Sequence, residues 1–70
     1  MTPAEFRAIR KYLRLNQTEL AAVMGYYGQS EISRIESGDV VPPLAGRLIR
    51  VYEWGYRPGD WPSRRKPAGE

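Results

Sequence analysis

Apolar residues recur at helical spacing from the start of the chain. Phe6, Ile9 and Leu13 stand at i, i+3 and i+7, which is the spacing of one face of a helix. Residues 2–5 (Thr-Pro-Ala-Glu) precede them and combine a capping box with a proline in the first turn. The pattern predicts a first helix that begins near Pro3 and buries one face.

Two short helices are predicted between Asn16 and Gly38. Asn16 is a suitable N-cap, and a glutamate follows three residues later, so the second helix covers residues 17–24 and stops at Gly25. The third helix begins after Gly28 and turns its isoleucines inward, away from a polar outer face. We therefore expect two helices of about two turns, joined by a tight turn over residues 25–28.

A last helix is predicted from Pro43 to about Trp54, with Gly55 as its stop signal. Its apolar residues predict a core-facing stripe with two further residues beside it: Leu44, Leu48 and Val51, flanked by Ile49 and Tyr52. Residues 56–62 are rich in turn formers, so we expect a turn there or at most one short helical turn. The fold class predicted is all-α, a compact bundle of four to five helices.

Length and composition restrict the function classes. Seventy residues suffice for one domain, which we place at residues 1–62, followed by a disordered basic tail at residues 63–70. The sequence has no cysteine and no histidine, so we expect no disulfide, no metal site, no cofactor and no catalytic activity. No signal peptide or membrane-spanning run is recognisable, which predicts a cytoplasmic protein that does not enter a membrane.

The net charge of +3 is unevenly distributed. Residues 1–16 carry four cations against Glu5, and residues 47–57 carry three arginines against Glu53. Residues 17–46 carry only Arg34 against four carboxylates. Attraction to a polyanion would therefore come from the segments that flank the two central helices.

The two central helices resemble the helix-turn-helix of the Cro/CI-type family, also called the xenobiotic-response-element family, which includes lambda-type phage repressors. The resemblance extends over about residues 6–54. Two features depart from the family pattern: the turn at residues 25–28 is one residue longer, and residues 39–41 lack the usual lysine or arginine. The matching positions are Gln17, Leu20, Ala21, Gly25, Ile32, Ser33, Ile35, Glu36, Gly38 and Pro42.

The resemblance implies a lambda-repressor-like bundle in which helix 2 and helix 3 form the motif and helix 3 enters the major groove of double-stranded DNA. Glutamine suits adenine and arginine suits guanine, so base contacts are expected from Gln29, Ser30, Ser33 and Arg34. The alternative is an ordinary solvated helix face. For Glu31 we prefer a cap of its own helix over a contact to cytosine.

Other roles are implied by the same resemblance. Arg10 and Glu36 are expected to form a partly buried structural ion pair, with two separate surface charges as the alternative. The glutamine at the start of helix 2 is also expected to brace helix 3. Phosphate contacts are expected from Asn16, Gln17, Tyr27 and Ser37.

Three aromatic residues near the end are expected at a twofold interface: Trp54, Tyr56 and Trp61. The alternative is that they close the open end of the core, and the two roles are compatible. We expect a homodimer that places two copies of helix 3 about 34 Å apart on an inverted repeat. The function predicted is a sequence-specific transcriptional regulator, a repressor of the kind found in phages and mobile elements. The alternative is a protein-interaction module, such as an antitoxin-like protein, that binds a protein partner and binds DNA weakly.

Overall fold

A computed structural model of the chain describes residues 1–62, and the tail predicted at residues 63–70 lies outside the described residues. In the described part every regular element is helical, which confirms the all-α prediction, and the motif helices α2 and α3 pack together. No fifth helix follows within residues 54–62, which form turns. The elements are α1 (Pro3–Tyr12), α2 (Gln17–Met24), α3 (Gln29–Ser37) and α4 (Pro43–Glu53).

Capping boxes start the first two helices. The Thr2 hydroxyl accepts the backbone N–H of Glu5 at 3.1 Å, and the Glu5 carboxylate accepts that of Thr2 at 2.9 Å. Asn16 and Glu19 exchange the same pair of bonds at 2.7 and 3.0 Å. Each box satisfies two backbone donors that a helix start leaves unpaired, so the local sequence alone determines where α1 and α2 begin.

The core lies between α1, α3 and α4, with α2 packed against α3. Phe6, Leu20, Ile32 and Ile49 are completely inaccessible to solvent, and each comes from a different helix. Tyr52 joins them and donates its hydroxyl to the carbonyl of Val23 at 3.0 Å, so the end of α4 is bound to the end of α2. Burial of these side chains supplies most of the stabilisation available to so small a fold.

The face of α4 that packs on the core differs from our prediction. Ala45, Ile49 and Tyr52 are buried, whereas Leu44 is 81% exposed and Val51 only half-buried. Leu48 is partly buried at the edge of the core. The helix is therefore rotated relative to the predicted stripe, so that Leu44 faces solvent while Leu48 still packs against the edge of the core.

Left-handed residues end three of the helices. Gly25 has φ of 87° after α2, and Gly55 has φ of 116° after α4. After α4 the N–H groups of Gly55 and Tyr56 bond back to the carbonyls of Tyr52 and Val51, which is a Schellman motif. The stop signals predicted at both glycines are thus observed, and α1 ends in the same way with Arg14 at φ of 62°.

Candidate nucleic-acid interface

The solvent face of α3 carries the four residues predicted to contact bases. Gln29, Ser30, Ser33 and Arg34 are all exposed. On the opposite face Ile32 and Ile35 are buried. Since successive residues on a helix are 100° apart, the four polar side chains share one side of α3 and form a continuous polar stripe.

Packing contacts and the turn before the helix determine the position of α3. Its isoleucines enter the core, and α2 packs along it. The turn between the helices covers residues 25–28, where Gly25 adopts the left-handed conformation that permits the sharp change of direction. Gly28 follows in extended backbone and precedes the first residue of α3 without a side-chain cap.

A buried cluster around Glu36 holds α3 against the rest of the fold. Arg10 donates from Nε to Glu36 Oε2 at 2.6 Å and from Nη2 to Oε1 at 3.1 Å, a bidentate geometry. The two side chains are only 10% and 6% exposed. The remaining Arg10 donor group, Nη1, bonds the carbonyl of Leu15 at 3.0 Å. The expected ion pair is therefore present, and it connects α1, the loop before α2, and α3.

Gln17 completes this cluster from the first turn of α2. Its amide nitrogen donates to Glu36 Oε1 at 3.1 Å. The structure thus places Gln17 as a brace between α2 and α3. An amide nitrogen carries two N–H groups, so this bond leaves one donor for a second acceptor.

Arg34 and Glu31 pair on the exposed side of α3. Arg34 Nη1 donates to Glu31 Oε1 at 3.0 Å, one helical turn apart. We expected Glu31 to cap its own helix, but α3 has no side-chain cap bond, so that prediction is wrong. With no side chain at the Gly28 N-cap to reciprocate a capping box, the carboxylate instead binds the cation three residues later.

Three of the four residues expected to contact phosphate are open to solvent. Asn16 and Ser37 are exposed, and Tyr27 is completely exposed at the turn. The Asn16 oxygen is used in its capping box, whereas its amide N–H groups are not part of that box. Ser37 donates its hydroxyl proton to the Ser33 carbonyl at 2.8 Å, so a phosphate contact from Ser37 requires this hydroxyl to rotate.

A sequence model of the helix-turn-helix family matches residues 6–51. The chain belongs to the Cro/CI-type helix-turn-helix family. The matched range begins in α1 and ends in α4, so it includes the Glu36 cluster and the whole of α3. Proteins of this family bind DNA as regulators, and this chain is a DNA-binding helix-turn-helix regulator. No curated protein and no solved structure matches the chain.

The three aromatic residues near the end of this helix-turn-helix chain do not form one surface. Trp61 packs edge-on against Tyr52, with ring centroids 5.3 Å apart, and the Arg57 guanidinium lies 4.3 Å from its ring centroid. Tyr56 stacks on the ring of the same tyrosine, with centroids 6.4 Å apart, and stays more than half exposed. Trp54 alone projects outward, 78% exposed.

Some features of the helix-turn-helix domain were not predicted from the sequence. Neither the bond from Tyr52 to the Val23 carbonyl nor the Arg57–Trp61 contact has a local sequence signal, because the first depends on how α4 packs against α2 and the second on the turn after α4. The Arg34–Glu31 pair does have a local sequence signal, since opposite charges three residues apart on a helix are neighbours.

Two other kinds of feature are absent from the described part of the chain. Among residues 1–62, no acidic side chains are grouped closely enough in threes to hold a metal ion. No helix in that range has the length and apolar composition needed to cross a bilayer.

Proposed function

We propose that this regulator recognises a specific DNA sequence through the exposed stripe of α3 and represses transcription by occupying a promoter. The observation that carries the proposal is the combination of a polar outer face with a buried inner face held by the Glu36 cluster. Base readout requires side chains placed to within a fraction of an ångström, and such placement requires a helix that cannot rotate.

The chemistry of the stripe supports base contacts. A glutamine amide matches N6 and N7 of adenine, and an arginine guanidinium matches O6 and N7 of guanine. Gln29 lies in the first turn of α3, the part of a recognition helix that penetrates deepest into the major groove. Arg34 is already oriented by Glu31, so less side-chain entropy is lost when it binds a base.

Phosphate contacts from Asn16, Gln17, Tyr27 and Ser37 would fix the position of α3 on the duplex without contributing sequence information. Asn16 and Gln17 lie together at the start of α2, where the helix N-terminus also favours an anion. Tyr27 supports this arrangement through its complete exposure in the turn.

The homodimer belongs to the same proposal. Two copies on a twofold axis would contact an inverted repeat whose half-sites are centred one helical turn apart. A bound dimer over a promoter would exclude RNA polymerase sterically.

Substitutions on α3 test the base contacts. We expect Gln29→Ala and Arg34→Ala each to weaken binding to the preferred duplex by about 1–3 kcal/mol and to relax sequence preference at one position. The matched control is Arg7→Ala, an exposed arginine on α1, which removes the same charge without altering sequence preference. Competition binding with single-base duplex variants separates the two effects. Equal preference profiles for Arg34→Ala and the unmodified protein would contradict the assignment.

A further inference from the structure

One side of α4 carries an apolar stripe that the fold covers only in part, since Leu48 and Val51 are half-buried. Leu44, Leu48 and Val51 lie at i, i+4 and i+7, and Trp54 extends the stripe beyond the last turn. Leu44 and Trp54 are among the most exposed large apolar residues of the described chain. We call these four residues the α4 stripe. Large apolar side chains that stand exposed along one side of a helix, on so small a domain, are candidates for a contact surface.

The chain's own turn after α4 does not cover this stripe. Residues 56–62 fold back toward Tyr52, on the core-facing side of the helix, where Trp61 packs edge-on. Tyr56 stacks on the ring of Tyr52 as well. Within residues 1–62, Trp54 therefore keeps its indole free for another molecule.

Along one edge of the stripe the helix presents a cation and an aromatic ring, which do not touch each other but lie a fixed distance apart. Arg47 and Trp54 are both exposed, and they lie seven residues, or about two helical turns, apart on the same side of α4. No ion-pair partner of Arg47 occurs among the described residues, although the neighbouring Arg50 pairs with both Glu5 and Glu53. A guanidinium over an indole is a favourable cation–π contact, and it gains strength when the pair is desolvated.

This arrangement is self-complementary. When two identical helices pack antiparallel about a twofold axis, residues at equal distances on either side of the axis meet each other. An axis at the level of residues 50 and 51 brings Arg47 of each copy against Trp54 of the other. The same axis places the two half-buried Val51 side chains near each other at the centre.

We propose that the α4 stripe binds a second copy of this chain in antiparallel orientation, with each Arg47 stacked on the second copy's Trp54. This inference deepens the homodimer of the proposed function and rests on it. It also divides the three aromatic residues expected at the interface: Trp54 forms part of it, whereas Tyr56 and Trp61 cover Tyr52.

The size of the surface determines the strength of the dimer. An α4 of 11 residues is roughly 16 Å long, so one helix face buries less than the about 800 Å² per partner of a standard stable interface. We therefore expect weak association in free solution, with a dissociation constant of micromolar order or higher. Binding to two adjacent half-sites would raise the effective concentration and stabilise the dimer.

Charge substitutions at the two paired positions test the register in the absence of DNA. Sedimentation equilibrium of the full chain, up to about millimolar concentration, measures self-association. Trp54→Lys places two cations opposite each other, and we expect association to weaken at least tenfold. Trp54→Glu replaces the cation–π contact by an ion pair, and we expect it to stay within a few-fold of the unmodified protein. The double variant Arg47→Glu with Trp54→Lys restores the attraction.

The inference would be overturned if the unmodified protein stays monomeric at the highest concentration measured. It would also be overturned if Trp54→Lys and Trp54→Glu lose association equally. Tyr56→Lys is the control for an exposed aromatic residue outside the stripe, and loss of association there instead would also overturn it. Circular dichroism of each variant establishes that its helices are intact.

Binding to a duplex that contains a single half-site tests the DNA-binding proposal separately from the dimer. If the unmodified protein and Trp54→Lys bind it equally, the base contacts stand whatever the dimer does. If neither binds DNA while the charge swap restores association, the interface stands and the DNA-binding proposal fails.

Discussion

Arg10 and Glu36 form the most consequential side-chain contact of the fold. Both are nearly inaccessible, and the pair has additional bonds to Gln17 and to the Leu15 carbonyl. Satisfied buried charges of this kind contribute little net stability compared with apolar residues, but removal of one partner leaves an uncompensated charge. Their effect is to restrict how α3 can lie against α1.

We predict that Arg10→Ala lowers the free energy of unfolding by about 3–5 kcal/mol, because Glu36 then stays buried without its cation. Urea denaturation followed by circular dichroism measures the change. The double variant Arg10→Met with Glu36→Leu removes both charges, and we expect it to regain at least half of the loss. A double variant as unstable as Arg10→Ala would show that packing around the pair, rather than charge, determines stability.

The Tyr52 hydroxyl predicts a dependence of stability on alkaline pH. Burial raises the pKa of Tyr52 above its ordinary value of 10.0, with smaller contributions from the charges of Asp60 and Tyr56. The folded state thus holds the proton more tightly than the unfolded state. This stabilising contribution is complete below pH 10 and is lost as the pH rises through the folded-state pKa.

Tyr52→Phe tests that contribution. We expect the variant to be less stable by about 1 kcal/mol at neutral pH, because the bond to the Val23 carbonyl is lost, and to lose less stability above pH 10. Thermal unfolding between neutral pH and pH 11 measures both effects, with Tyr27→Phe as the control for a fully exposed tyrosine. A parallel alkaline decline in Tyr52→Phe and the unmodified protein would contradict the assignment.

At the scale of elements, the helix starts and stops were predictable and the orientation of α4 was not. Caps and left-handed glycines are local signals, so the bounds of α2 agree with the prediction and α4 ends one residue early. In α4 two adjacent stripes are apolar, and hydropathy favours the leucines. Packing instead favours the side with Ala45, which allows close approach, and Tyr52, whose hydroxyl finds an acceptor.

The same distinction applies to the candidate interface. The polar stripe of α3 follows from periodicity alone, and the Arg10–Glu36 pair followed from the family resemblance. Glu31 was misassigned because the capping-box rule was applied at an N-cap, Gly28, that has no side chain to complete it. Contacts between residues distant in sequence, such as Tyr52 with Val23, depend on tertiary packing that no local pattern contains.

Substitution by alanine is expected to have opposite effects on stability at two glycines, one inside a helix and one beside a helix. At Gly46, within α4, an added Cβ would meet Val41 Cγ1 at 3.7 Å and Met1 atoms at 3.9 Å, which are ordinary contacts. We therefore expect Gly46→Ala to stabilise the protein by about 0.5–1 kcal/mol. Gly25→Ala is the matched control, since φ of 87° there strains any residue with a Cβ, and it should destabilise by about 1–2 kcal/mol. Thermal unfolding measures both, and a destabilised Gly46→Ala would contradict the packing around α4.

At the scale of the whole molecule, the number of acidic residues in the two central helices overstates their repulsion of DNA. Of the four carboxylates between residues 17 and 46, Glu36 is neutralised by Arg10 and Glu31 by Arg34. Glu19 is engaged at the N-cap of α2. Local repulsion of phosphate is therefore reduced, and the basic flanks supply the long-range attraction, which weakens as salt rises.

The most direct test of the central claim is selection from a random pool of duplexes by the purified protein at near-physiological salt, where non-specific attraction is screened. Sequencing of the bound fraction reports sequence preference directly, because the pool contains every candidate operator. We predict an enriched inverted repeat with half-sites centred about one helical turn apart, and loss of one enriched position with Gln29→Ala. An enriched single half-site would retain sequence-specific binding and contradict the homodimer. No enrichment by a folded protein would contradict sequence-specific DNA recognition by α3 and favour a protein-interaction role.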